Sequence, residues 1–221
     1  MERQAWDQRY AGPELVWGAG PNQFVVSELT GLPPGRALDL ATGEGRNAIW
    51  LAEQGWQVTG VDFAAVGLAR AAELAAARGV AVRWVAADLR EYQAERGAFD
   101  LVLIAYLQLR QDELGPVLRR AAAALAPGGT LLLIGHDREN LSRGVGGPQD
   151  PDLLHTPEEV VAALDGLVVQ VAERVTRPVT GEHGDRLAVD TLVRAIQPGS
   201  AAGSHRNGLE AEGTKEPDDH G

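Results

Sequence analysis

Three carboxylates stand at the ends of apolar runs: Asp39 within Leu38-Asp39-Leu40, Asp62 closing Val58-Thr59-Gly60-Val61, and Asp88 in Ala86-Ala87-Asp88-Leu89. Between the first two lies Ala41-Thr42-Gly43-Glu44-Gly45-Arg46-Asn47-Ala48, a glycine turn running into an amphipathic stretch. Glycines at 43 and 45 let the backbone approach a ligand that a Cβ would push away, and the helix start behind them offers unpaired N–H groups. A carboxylate about twenty residues beyond such a turn is placed to accept both hydroxyls of a ribose. Asp88, with the apolar Leu89, is placed to accept from an adenine amino group. These residues together describe a nucleoside site. Each also has a local alternative: Asp39 tidying the N–H groups of its own loop, Asp62 as a solvated acid at a strand end, Asp88 as a helix N-cap.

Two cofactor classes use this arrangement, NAD(P) and S-adenosylmethionine (SAM). Asp39 separates them, because a carboxylate repels a pyrophosphate but attracts the ammonium and sulfonium of SAM. The single lysine, Lys215, lies far from this segment, so no Tyr-x-x-x-Lys dehydrogenase pair exists in the body of the chain. Methyl transfer from a sulfonium is an in-line displacement. Most of its catalysis can come from holding the nucleophile within about 3–3.5 Å of the methyl group and excluding water.

General acid–base candidates are Tyr106, His136, Asp137, His155 and His183, which follow strand ends or lie in the loops above them, where ligands bind in open α/β sheets. Each has an ordinary structural reading as well. Arg143, in a glycine-rich stretch, is a candidate for holding an anion. No His-x-x-x-His or comparable cluster is present, so no metal is expected.

The elements that position these groups follow from the pattern. Apolar, β-branched runs at 36–41, 57–61, 81–86, 99–104 and 129–136 alternate with helical stretches at 46–55, 65–78 and 111–126, which describes a doubly wound α/β sheet. Helix 65–78 is expected to bury Val66, Ala69, Leu74 and Ala77 and to turn Arg70, Glu73 and Arg78 to water. A long Gly/Pro-rich loop spans 137–155. Thr156-Pro157-Glu158-Glu159 is a capping box with proline at the first helical position, starting a helix over 157–165. Two antiparallel strands, 167–177 and 185–196, close a domain over 1–197. Residues 198–221, polar and acidic with Leu209 the only larger aliphatic, are expected to be disordered.

The same residues, in the same order, resemble the class I SAM-dependent methyltransferases from about Trp6 to Ile196. The glycine loop, Asp62, Asp88, the aromatic-containing strand Phe99 to Tyr106 and the Pro127-Gly128-Gly129 turn into Leu131-Leu132-Leu133-Ile134 carry the likeness. It implies a Rossmann-like, seven-stranded, mostly parallel sheet with a C-terminal antiparallel strand pair, and SAM as cofactor. It implies a cofactor shell of Asp39, Ala41, Thr42, Gly43, Gly45, Arg46 and Asn47 on the first loop. Asp62, Phe63, Asp88, Leu89 and Ala105 extend that shell along the other strand ends, with Trp17 above. Gly43-Glu44-Gly45-Arg46-Asn47-Ala48 with Trp50-Leu51-Ala52, and the opening Trp6-Asp7-Gln8-Arg9-Tyr10, most resemble the tellurite-resistance and thiopurine branch. That branch places an N-terminal aromatic lid over the cofactor, here Tyr10 and Trp17. By this resemblance a thiol or a selenium or tellurium oxyanion is the first choice of acceptor, and a hydroxyl or amine on a metabolite the second. A SAM-binding protein without catalysis and a Rossmann oxidoreductase are the alternatives. The chain departs from the pattern at Ala41, a glycine in the family, at Ala64, where an N-capping Ser or Thr is usual, and at Ala105 and Gln108, where the branch often has histidines.

Composition narrows the acceptor. A formal charge of −11 over 221 residues disfavours a nucleic-acid partner, since affinity for phosphate backbones comes mainly from neutralising cations. The absence of cysteine removes thiolate metal sites and covalent cysteine mechanisms, cytosine C5 methylation among them. The Asn/Asp-Pro-Pro-aromatic motif of adenine methylation is missing. No transmembrane span or secretory signal is apparent, so a small-molecule substrate and a cytoplasmic location are expected. Oligomeric state is open.

Overall fold

The first strand, β1 (Arg36–Leu40), is flanked by β2 (Gln57–Asp62) on one side and β4 (Phe99–Ala105) on the other, all parallel. In this computed structural model, which describes residues 3–179 and 186–199, β3 (Arg83–Ala86), β5 (Leu125–His136), β6 (Val168–Val179) and β7 (Arg186–Ile196) complete a seven-stranded sheet of order β3-β2-β1-β4-β5-β7-β6. β7 inserts antiparallel between β5 and β6. The chain reverses its direction of winding between β1 and β4, so a crevice opens at their carboxyl ends, where a doubly wound sheet binds its ligand.

Both faces of β4 are covered, which explains its unbroken apolar run. Val102 and Ile104 pack toward α5 (Gln111–Ala124) with Leu114, Val117 and Leu118, while Leu101 and Leu103 pack toward α2 (Gln23–Leu29) and α3 (Arg46–Glu53) with Val25, Leu29 and Leu51. Full burial of each such side chain contributes roughly 1.5–3 kcal/mol. The strand holding the crevice is therefore rigid.

Helix α4 (Ala65–Ala77) is rotated from the expected phase. It buries Gly67, Leu68, Ala71 and Ala75 and leaves Ala69 and Ala77 exposed. Its alanine-rich sequence carries little phase information, and close approach decides instead: a Cβ on Gly67 would stand 2.9 Å from the Tyr10 ring. Ala64 makes no side-chain cap, as expected, but the helix start is not open. Asp7, from α1 (Arg3–Tyr10), accepts the Val66 N–H at 3.1 Å, and Asp62 accepts that of Ala64 at 2.9 Å.

The loop after β5 is built rather than loose. It holds α6 (Asn140–Arg143) and a 3-10 turn (Pro151–Leu153), with Asp137 and Leu154 fully buried. The capping box forms both of its bonds, and α7 runs Pro157–Ala162, shorter than expected. The β6–β7 connection, with His183, and the tail from 200 onward lie outside the described residues, so the expected disorder of that tail does too. Among the described residues no helix is long and apolar enough to cross a membrane.

Candidate functional site

The turn after β1 is left-handed at Ala41 (φ 62°), Gly43 (φ 55°) and Gly45 (φ 77°). Ala41 adopts the conformation that glycine takes without strain, at a cost of roughly 1 kcal/mol. Gly45 is required twice, by its φ and because a Cβ there would meet Trp84 at 2.7 Å and Ala71 at 2.9 Å. Asp62 reaches back across the turn: Oδ2 accepts the Gly43 N–H at 2.8 Å while Oδ1 accepts that of Ala64. Each oxygen keeps a lone pair, and burial raises the carboxyl's pKa above its ordinary value. Asp39 is buried beneath the turn. Thr42 Oγ1 donates to its Oδ2 at 2.6 Å, and Oδ1 has no partner. Burial pushes its pKa up to about 7.

Residues 11–22 form a strap over this turn, and the domain holds the strap largely by its backbone. Arg70 donates to the carbonyls of Tyr10, Pro13 and Glu14, Arg46 to that of Trp17, and Arg78 to that of Ala19; Glu44 accepts the Val16 N–H. Arg70, expected in water, is thus engaged, and it also pairs with the buried Glu44 at 3.0 Å. Trp6 stacks on Tyr10 at 5.4 Å and lies 6.2 Å from Trp17, with Arg9 over both tryptophans. Burial raises the Tyr10 hydroxyl pKa, so it stays protonated.

Across the cleft, β4 is followed directly by Tyr106, whose φ of 58° is uncommon for a non-glycine residue. Its hydroxyl donates to Asp190 Oδ2 at 2.7 Å and accepts from Asn22 Nδ2 at 3.1 Å and Arg177 Nε at 3.2 Å. Asn22 also caps α2, and its N–H donates to Asn47 Oδ1, linking this corner to the glycine turn. At the far end Asp88 accepts bonds from Arg90 through both carboxylate oxygens and from the Arg90 N–H, which holds its pKa below the ordinary value. The expected alternative of a helix N-cap does not hold, because residues 89–91 form a turn and no helix starts there; the carboxylate closes that turn through the Arg90 N–H, on a side chain that also faces the cleft.

The cleft between these walls encloses about 910 Å³, including its open mouth. Of the residues expected to hold a cofactor, Trp17, Ala41, Thr42, Gly43, Arg46, Asn47, Asp62, Phe63, Asp88, Leu89 and Ala105 line it; Asp39 and Gly45 lie behind the turn. Sequence reasoning assigned no site role to Trp6, Glu44, Leu107, Gln108 or Leu109, which line it too. Glu44 had a signal, its place between the two glycines of the turn. Of the acid–base candidates among the described residues, only Tyr106 borders the cleft. His136 is buried, 4.8 Å from the Tyr106 ring, with Nδ1 3.3 Å from Asp190 Oδ1. Asp137 accepts from Arg174, Thr191 and the Glu139 N–H. His155 is buried with both ring nitrogens unpartnered among the described residues, and burial lowers its pKa. Arg143 is exposed and paired with Glu139, away from the cleft. Among the described residues no group of three or more metal-ligating side chains forms.

The residues present fit a SAM-type cofactor. An orphaned, buried Asp39 oxygen lies under a left-handed glycine turn, a carboxylate stands at the second strand end, and aromatic side chains roof the space between. Residues 37–129 match the family model described as a methyltransferase domain. SAM is the cofactor this match indicates. The chain is 42% identical over 125 residues to the demethylmenaquinone methyltransferase of Thermus thermophilus, covering 56% of this chain and 55% of that one. It is 33% identical over 106 residues to the ribosomal RNA small subunit methyltransferase C of Alcanivorax borkumensis, covering 46% and 32%. The chain thus spans about half or less of the curated relatives it matches. Its fold is shared with solved structures at low identity. One, from work on the conversion of a disulfide bond into a thioacetal group during echinomycin biosynthesis, has a TM-score of 0.74 at 19% identity, covering 90% of this chain and 93% of that one. TehB from Haemophilus influenzae has 0.67 at 16%, covering 88% and 66%.

Proposed function

We propose that this chain transfers a methyl group from SAM to a small-molecule acceptor, with a soft nucleophile, a thiol or a selenium or tellurium oxyanion, as the favoured class. The cofactor supplies an electrophilic methyl group on a sulfonium. The chain's residues supply position and dryness: Asp62 for the ribose hydroxyls, Asp39 for the ammonium, Asp88 and Leu89 for the adenine, and the aromatic strap to exclude water.

The observation that carries the acceptor class is the state of the titratable groups on the cleft. The Tyr106 hydroxyl is saturated, with one bond donated and two accepted, and its pKa is raised, first by burial and then by Asp190. Glu44 is committed to Arg70 and the strap. The described candidate histidines stand off the cleft. With no side chain free to take a proton at the acceptor end of the lining, Ala105 to Leu109, among the described residues, an acceptor already ionised near neutral pH is served best. The resemblance of residues 43–52 to the tellurite-resistance and thiopurine branch supports the same class. The formal charge of −11 argues for a small molecule over RNA. A ring-bearing metabolite is the second reading, favoured by the apolar Leu107, Leu109, Trp6 and Trp17 on the lining.

Calorimetric titration with SAM and with NAD tests the cofactor, and turnover of an acceptor panel followed by product mass tests the reaction. On the acceptor found, Tyr106→Phe, His136→Ala and His155→Ala are each expected to lower kcat/KM by much less than the roughly 10²–10⁴-fold of a lost general base. A collapse at one of them, with loss of a limb of the pH–rate profile, would overturn the soft-nucleophile reading.

A further inference from the structure

The acceptor end of the cleft is walled by Ala105 to Leu109, and what holds that wall lies outside the matched segment. Tyr106 sits in a left-handed backbone conformation, which persists only where surrounding contacts over-determine it. Those contacts come from four places. Asn22 approaches from the strap, Arg177 from β6, Asp190 from β7, and His136 packs its ring on the Tyr106 ring from the end of β5. Asp190 is the hub. It is fully buried, its Oδ2 takes both the Tyr106 hydroxyl proton and the Arg177 Nε–H at 3.0 Å, and its Oδ1 faces His136. The Arg177 guanidinium in turn lies 5.6 Å from the centre of the Tyr106 ring.

We propose that Asp190 is a positioning residue for methyl transfer: by clamping the Tyr106 hydroxyl together with Arg177 it locks Tyr106 in its left-handed conformation, and so fixes the wall against which the acceptor is held. This rests on the reading of the cleft as a methyltransferase site. The role is geometric. Because the hydroxyl has no lone pair or proton to spare, Tyr106 presents its ring to the cleft, not an acid or a base. Asn22 bonds Tyr106 through its side-chain amide but Asn47 through its backbone N–H, so the contact to the glycine turn does not depend on the Tyr106 hydroxyl.

The chain has three tyrosines, Tyr10, Tyr92 and Tyr106, so uniform 3-fluorotyrosine labelling yields a fluorine spectrum of three sites. Tyr106→Phe assigns one of them by its loss. In Asp190→Asn the Tyr106 resonance is expected to shift or broaden while those of Tyr10 and Tyr92 stay in place. With the acceptor found by the panel, Asp190→Asn and Tyr106→Phe are expected to raise the acceptor KM by about five- to tenfold, with Kd for SAM within about twofold of the parent and the shape of the pH profile unchanged. An unmoved Tyr106 resonance overturns the proposal. So does a fall in SAM affinity parallel to the loss of acceptor affinity, which is the signature of general loosening. Should Asp190→Asn not fold, Tyr106→Phe removes the same bond while leaving the Asp190–Arg177 pair, and its split between KM and Kd decides. If the parent turns over no acceptor, the proposed activity fails while the fluorine spectra still judge the clamp.

Discussion

The two walls of the cleft are built by different means. The wall proposed for the cofactor is made by backbone groups close in sequence: Asp62 and Gly43 are 19 residues apart, and one β-α-β passage supplies the turn, the acid and the helix start. The wall proposed for the acceptor is made by side chains far apart, with Tyr106 bonded to Asn22 and Asp190, each 84 residues away, and to Arg177 at 71. The first can form wherever its short unit folds. The second exists only once β6, β7 and the strap have all docked, and it confines two carboxylates, Asp137 and Asp190, completely. Damage to the first should therefore appear in cofactor affinity. Damage to the second should appear in stability or in acceptor handling.

The largest effect is expected from Asp137→Ala, which strands the Glu139 N–H, leaves the Thr191 hydroxyl only the His155 carbonyl and takes from Arg174 its buried partner. Stability should fall by about 2–3 kcal/mol in chemical denaturation, below the full cost of breaking a buried pair because Arg174 regains water. SAM affinity should hold. The converse is Asp62→Ala, expected to weaken SAM binding by roughly 1–3 kcal/mol in titration calorimetry; unchanged binding would remove Asp62 from the ribose. Asp39 gives the comparison a pH axis. Its folded-state pKa is raised, so between the ordinary carboxylate value near 4 and about 7 the folded chain keeps a proton the unfolded chain has lost, and stability falls as pH rises through that window. SAM binding runs the other way, since the ammonium favours the ionised form: affinity should drop as pH falls below about 7, by up to about tenfold per unit. Asp39→Asn should flatten that dependence, and a parent affinity independent of pH would detach Asp39 from the ammonium. Asp7→Ala, which uncaps α4 from a distance, should cost about 1 kcal/mol and lower Tm by a few degrees. Smallest is Ala41→Gly, expected to raise stability by at most about 0.5 kcal/mol, because relief at φ 62° slightly exceeds the entropy that glycine adds to the unfolded chain. Loss of stability there would mean that the Ala41 methyl packs better than its strain costs.

Legibility in the sequence follows the same division. The alternation of strands and helices, the glycine turn with its two flanking acids and the Thr156 capping box were readable because each depends on neighbours within one or two turns of chain. The phase of α4 was not, since in an alanine-rich helix the face is chosen by what approaches it, here the Tyr10 ring and Gly45. His136, Asp137 and His155 were rightly placed above the strand ends, but nothing local says whether a side chain there turns into the cleft or back into the sheet. That choice is made by Asp190, Thr191 and Arg174, whose residue types alone read as ordinary strand composition.

The strap has one further consequence. Five of its backbone atoms, from Pro13 to Ala19, and the Tyr10 carbonyl just before it are gripped by arginines and a glutamate that belong to the domain. Its path is thus encoded beneath it rather than in its own residues. Apart from Asn22, whose side chain caps α2 and bonds Tyr106, its side chains are free to be exchanged, and a descendant or an engineer could refit the roof of the cleft for a differently shaped guest without loosening the hinges that hold the roof in place.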